Sequence, residues 1–183
     1  MEKTESFNTV LNAAKKDDKG KRDLVVQMKD LTFLAKDIQE YSIEDGEKQV
    51  TTQLKAQISV PDMDAGKRIR LGFCANSFRQ FSNSHLGIPW KYLMKCPANL
   101  AREQVNYWKS LHHDKDLLIR LRDEKEPYAR AILNATYGRL DNTPFLNMLR
   151  EIVEEADLKV CRYDIDDHSM HVRGILPDRK SVV

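Results

Sequence analysis

Residues 49–59, QVTTQLKAQIS, place a polar side chain at every odd position (Gln49, Thr51, Gln53, Lys55, Gln57, Ser59), while the even positions through Val60 are mostly apolar (Val50, Leu54, Ala56, Ile58). Successive side chains on a strand point to opposite faces, so this period of two predicts a half-buried β-strand. Pro61, Asp62, Asp64 and Gly66 then supply turn chemistry. Segment 67–73, KRIRLGF, resumes the alternation, with Ile69, Leu71 and Phe73 on one face and Arg68 and Arg70 on the other. The two segments make a hairpin with one apolar face and one basic, amide-rich face.

Working outward, Leu24 to Met28 reads as a short strand, and Lys29 to Tyr41 fits either a strand or a helix. Downstream come helical signals over Asn76 to Ser84, a short turn over Ile88 to Met94 entered through Gly87 and Pro89, and a helix over Ala98 to Leu111 after Pro97. In that last helix Ala101, Val105, Trp108 and Leu111 share an apolar stripe, which predicts an inward Trp108, whereas Arg102, Asn106 and Lys109 recur on a polar stripe. Leu117 to Arg122 and Tyr128 to Asn134 predict a second hairpin. Thr143 is expected to cap a helix beginning at Pro144, with Phe145, Leu149, Ile152 and Val153 facing inward. Two further strands, Leu158 to Tyr163 and Met170 to Leu176, flank an acidic turn.

The fold class expected is α+β, antiparallel β-hairpins alternating with helices in a single compact domain, with no repeat and no βαβ rhythm. Residues 1–22 form a helical or flexible arm, in which Phe7, Val10, Leu11 and Ala14 lie at helical spacing before a charged linker from Lys15 to Arg22, and residues 23–183 form the domain. A chain of 183 residues is long enough for a real core, and 41% hydrophobic with 32% charged residues excludes collagen-like and wholly disordered chains. The sequence holds neither an uncharged stretch of membrane-spanning length nor an apolar leader at its start, so a cytoplasmic protein without membrane partners is expected. Cys74, Cys96 and Cys161 form no Cys-x-x-Cys pair and read as reduced thiols.

Charge is distributed unevenly. Between Ala65 and His113 eight cations (Lys67, Arg68, Arg70, Arg79, Lys91, Lys95, Arg102, Lys109) face one anion, Glu103, a local net of +7 in a chain whose total is +2. The same band holds Phe73, Phe78, Phe81, Trp90, Tyr92, Tyr107 and Trp108. Cations interleaved with aromatics suit a single-stranded nucleic acid, because cations follow phosphates while flat rings accept unpaired bases. The candidate binding residues are Arg68, Arg70, Arg79, Trp90, Lys91, Lys95, Arg102, Asn106 and Lys109, joined by Arg120, Arg122 and Arg130 from the second hairpin. Trp90 fits equally a base-stacking ring and a hydrophobic plug between helices.

Catalytic signatures are lacking: there is no Gly-x-Gly-x-x-Gly, no Walker lysine loop and no Gly-x-Ser-x-Gly elbow. Asp164, Asp166, Asp167, His168 and His171 are of metal-ligand type but read as a solvent-facing hairpin turn, and His112 and His113 as a helix end. Arg130, Tyr137, Arg139, Asp141 and Asn142 read as an ion pair, an anchoring tyrosine and a turn rather than a phosphate or acid-base site. No metal, cofactor or catalytic residue is expected.

Two stretches carry a resemblance: LGIPWKYLMKCPANLAREQVNYW, residues 86–108, and ARAILNATYGRLDN, residues 129–142. They resemble the phage and plasmid-like proteins known as domain of unknown function 932, through Leu86, Gly87, Ile88, Pro89, Lys91 and Tyr92, then Asn106 and Trp108, then Arg130, Ala131, Leu133, Tyr137, Leu140, Asp141 and Asn142. The resemblance runs from about Leu71 to Pro177. Asn134 stands where that family usually has serine, and the family's longer members continue into a second half. It implies an origin in a phage or mobile element, hence the host-cell cytoplasm, and no activity follows from it. With the charge pattern, the expected function is non-enzymatic binding or annealing of single-stranded DNA in replication or recombination. The alternative is a protein-interaction module, possible as a homo-oligomer, that inhibits a host defence system through its basic surface.

Overall fold

The computed structural model describes residues 6–44, 47–165 and 170–175. They fall into two units, residues 1–21 with 138–183, and residues 22–137. The fold is α+β.

In the larger unit, six strands form one sheet in the order β1-β5-β6-β4-β3-β2: β1 Lys21–Gln27, β2 Thr32–Glu44, β3 Glu47–Asp62, β4 Lys67–Phe73, β5 Asp116–Arg122 and β6 Tyr128–Asn134. The β2, β3 and β4 strands pair antiparallel, as do β5 and β6, but β4 and β6 run parallel where Gly72 faces Tyr128 and Phe73 faces Ala129. The sheet is thus mixed rather than built only of hairpins. A helical excursion between β4 and β5 brings the second hairpin back beside the first. The segment that fitted strand or helix equally well is β2, a 13-residue strand.

Register explains the burial. Phe33, Ile58 and Leu71 sit in one row across three strands and are all buried, whereas the neighbouring row is Thr32, Ser59 and Arg70. The buried face is covered by α2 (Ala75–Arg79), a π-helical turn (Gln80–Leu86), α3 (Trp90–Leu93) and α4 (Ala98–Ser110). Phe33 stacks on Phe81 with centroids 6.1 Å apart, and Phe73 meets Phe78 at 5.2 Å and Phe81 at 5.6 Å. These aromatic contacts tie β2 and β4 to the helices.

The π-helical turn completes β6 where β4 has left it. The Ile132 N–H donates to Gln80 Oε1 at 2.9 Å, and His85 Nε2 lies 2.9 Å from the Ile132 carbonyl, so it carries the donating proton. Gly87, at φ 73°, ends the turn in the left-handed conformation that a side chain would strain. The α4 helix follows Pro97, which supplies no side-chain cap. Asp37 of β2 performs that role, accepting the Ala98 N–H at 3.0 Å. Ala98, Ala101 and Val105 are buried, but Trp108 is 36% exposed and Leu111 55% exposed, contrary to the inward placement their spacing suggested. Trp108 instead makes an edge contact with Tyr107, 5.7 Å between centroids.

In the smaller unit, α1 (Phe7–Asp18) buries Val10, Leu11 and Ala14 against Leu146 of α5 (Asn142–Glu155) and Val160 of β7 (Lys159–Ile165), which pairs with β8 (Met170–Ile175). The charged run read as a linker is ordered differently: it ends α1 and enters β1. Lys21 pairs with Asp17 and with Asp18, the latter at 2.8 Å; the Asn142 amide donates to Asp17 at 3.2 Å, and the Thr143 N–H to Asp18 at 2.8 Å. Burial pushes the Asp18 carboxyl up, but the bonds from Lys21 and Thr143 outweigh it and hold the group below its ordinary value. Asp141, not Thr143, occupies the cap of α5. The helix turns Leu146 inward, against Val10, Leu11 and Ala14, and leaves Phe145 and Ile152, expected in the core, exposed at 37% and 61%. No helix among the described residues is long and apolar enough to cross a membrane.

Candidate nucleic-acid interface

The face of the β2-β3-β4 sheet opposite the helices carries Thr32, Leu34, Lys36 and Ile38 on β2, Gln53, Lys55, Gln57 and Ser59 on β3, and Arg68 and Arg70 on β4. Lys36 lies directly opposite Lys55, and both are exposed. Like charges in facing positions on a sheet repel, so the pair costs stability unless an anion lies across it. Neither lysine, nor Arg70, makes a hydrogen bond or ion pair with a described residue. Glu40, an acid on this face, accepts from Gln53 at 2.7 Å.

Arg68 behaves differently from its neighbour. Its guanidinium donates to the Asp30 and Ser59 carbonyls at 2.8 and 2.6 Å, to Ser59 Oγ at 3.2 Å and to Thr32 Oγ1 at 3.3 Å, binding β4 across β3 to the start of β2. Lys109 reaches the same corner, donating to the Leu31 carbonyl at 2.5 Å. Burial, and then the charge of Arg68, push the Lys109 ammonium below the usual lysine range. Two cations expected to face solvent are thus spent on main-chain carbonyls.

The helical part of the band is more open. Arg102 and Asn106 project from the exposed side of α4 beside Tyr107, and Lys95 is exposed after α3. Arg79 donates to Asn76 at 3.0 Å. Trp90 is half-buried against the core, its main-chain N–H donating to Asn83 Oδ1 at 2.8 Å, and the Lys91 ammonium lies 5.9 Å from its ring centroid.

The arginines of the second hairpin do not join this surface. Arg120 donates to Asp23 at 3.1 Å with both side chains about 85% covered (13% and 15% exposed). Arg122 is 14% exposed and lies 3.9 Å from Glu124. Arg130 is the unopposed residue of a bulge, since Arg120 faces Ala131 and Leu121 faces Ala129. Sequence reading missed Lys36 and Lys55 as a pair. Lys55 was visible on the polar face of its strand, but facing Lys36 depends on β2 being a strand in this register.

The cluster around the acidic turn is only partly described: Asp164 faces His171 in the β7–β8 pairing, while Asp166, Asp167 and His168 lie outside the described residues. Among the described residues no group of three or more His, Cys, Asp or Glu could hold a metal ion. Arg130 and Tyr137 belong to the larger unit, and Arg139, Asp141 and Asn142 to the smaller. No family model matches the chain, and no curated protein matches it either.

Proposed function

We propose that the protein is a non-enzymatic binder of single-stranded DNA from a phage or mobile element, acting in replication or recombination. The origin rests on the resemblance to domain of unknown function 932, and the binding on the sheet. The observation that carries it is the exposed pair Lys36 and Lys55, opposite each other on the sheet face with Arg70 nearby, none of the three making an ion pair with a described residue. A polyanion converts their mutual repulsion into attraction and releases its own counterions on doing so. Amide side chains beside the lysines and the half-exposed indole of Trp90 supply the sequence-tolerant contacts that unpaired bases accept.

Titration with a labelled single-stranded oligonucleotide tests this. With Lys36, Lys55, Arg70 and Lys91 on phosphates, log affinity falls against log salt with a slope near −3, roughly fiftyfold between 50 and 200 mM. Absence of binding at the lower salt refutes it. The second reading, a module that binds a host protein, is favoured by one observation: Phe145, Met148 and Ile152 share an exposed apolar side of α5.

A further inference from the structure

The pairing of β3 with β4 ends at Gln57 and Gly72, because the chain turns into α2 at Cys74. From Glu47 to Ala56 the β4 side of β3 has no described strand beside it. At the end of this open edge lies a cavity of about 320 Å³, whose walls include Leu54, Ala56, Phe73, Phe78, Trp90 and Met94. The volume is at the small end of ligand pockets, enough for one flat ring system and too little for a chain of several residues. Its lining contains one charged side chain, Lys55, and Lys91 sits against the Trp90 ring. The closest acids in sequence, Asp37 and Glu40, are occupied by the Ala98 N–H and by Gln53.

We infer that this cavity is a nucleobase pocket, in which one unpaired base lies against Trp90 while the flanking phosphates lie on Lys55 and Lys91. The inference rests on the nucleic-acid reading above and gives it a base-contacting site. An apolar pocket with cations at its border suits a ligand that is flat and apolar in one part and anionic in the next, which describes a nucleotide within a strand. The open edge of β3 offers main-chain donors and acceptors to the rim of the base, where a wholly apolar wall would leave its polar atoms unsatisfied. A peptide laid along the same edge would use the main-chain groups but would give Lys55 and Lys91 no partner.

The test compares an intact single-stranded oligonucleotide with one of equal length whose central positions are abasic, so that phosphates are unchanged. The wild-type protein should bind the intact strand roughly tenfold more tightly, the scale of one lost stacking contact. Ala75→Phe, at an exposed lining position, fills the cavity; Trp90→Leu removes the ring. Both should erase the preference while leaving the salt slope unchanged, and thermal melts report whether each variant folds. In a Trp108→Phe background, the intact strand should quench Trp90 emission and the abasic strand should not. Equal wild-type binding of both strands, with a normal salt slope, overturns the pocket and leaves the nucleic-acid reading standing, as does a preference that survives in both folded variants. If neither strand binds at 50 mM salt, both readings fall.

Discussion

One face of one sheet treats its cations in two ways. On β2, β3 and β4, Lys36, Lys55 and Arg70 stand exposed without a neutralising partner among the described residues, whereas on β5 Arg120 and Arg122 lie mostly covered beside Asp23 and Glu124. The residue types are alike, and the alternation that puts them on the face is alike. What differs is the company. A covered charge must be paired or its desolvation goes uncompensated, while an exposed one keeps its water and stays available to a partner. Local positive charge in a sequence therefore overstates a binding surface by the number of cations the fold itself consumes, and here Arg68 and Lys109 are consumed as well, on main-chain carbonyls.

The largest expected effect falls on the consumed side. Arg120→Met leaves the mostly covered Asp23 carboxylate without its guanidinium and should lower stability by about 3 kcal/mol, the low end for a broken buried pair. Urea unfolding measures it. Oligonucleotide affinity and its salt slope should not change, and a shallower slope in this variant would erase the distinction between the two halves.

A second effect marks the place where β4 leaves β6. Burial, only partly offset by the bond to the Ile132 carbonyl, lowers the His85 value below the ordinary 6.5. Above that pH both folded and unfolded states are neutral and His85 contributes no pH dependence. As pH falls below 6.5 the unfolded chain takes up a proton that the folded protein resists, so stability declines until the folded value is passed, then levels off. Tm should drop between pH 7.5 and 5.5. The drop should shrink in His85→Gln, whose amide can still donate to Ile132; an unchanged drop would assign it elsewhere.

The sequence showed the elements better than the company they keep. Period two from Gln49 to Phe73 is visible because one face is buried and one is not. Lys29 to Tyr41 was ambiguous because Leu34 and Ile38 interrupt the polar row. The parallel contact of β4 with β6 had no local signal, since it joins residues more than fifty positions apart at only Gly72–Tyr128 and Phe73–Ala129. Of the candidate site, the basic face of the first hairpin was legible. The capture of Arg68 and the pairing of Arg120 were not, because their partners, Asp30 and Asp23, are distant in sequence.

Trp108 sharpens the comparison at a smaller scale. Were it inward, its removal would cost about 3 to 5 kcal/mol. Being 36% exposed with an edge contact to Tyr107, Trp108→Ala should cost only about 1 kcal/mol by thermal or urea unfolding. A loss of several kcal/mol would mean that the end of α4 is packed after all.

The smallest effect on stability has the opposite sign, which makes it the most discriminating. Lys36 and Lys55 face each other across the β2–β3 ladder, and a facing like-charge pair is destabilising by a few tenths of a kcal/mol. Replacing both by glutamine keeps the length and polarity of the row while removing the repulsion. The double variant should therefore unfold at slightly higher urea than the wild type, with an unchanged m-value. The same change removes two phosphate contacts, so the log–log salt slope for single-stranded DNA should become shallower by roughly 1.4. Arg120→Met predicts the reverse, less stability with the same slope. A cation held for the fold and a cation held for a ligand are thus separated by two measurements on the same proteins, and a Lys36→Gln, Lys55→Gln protein that loses stability while binding DNA normally would place these lysines with Arg120.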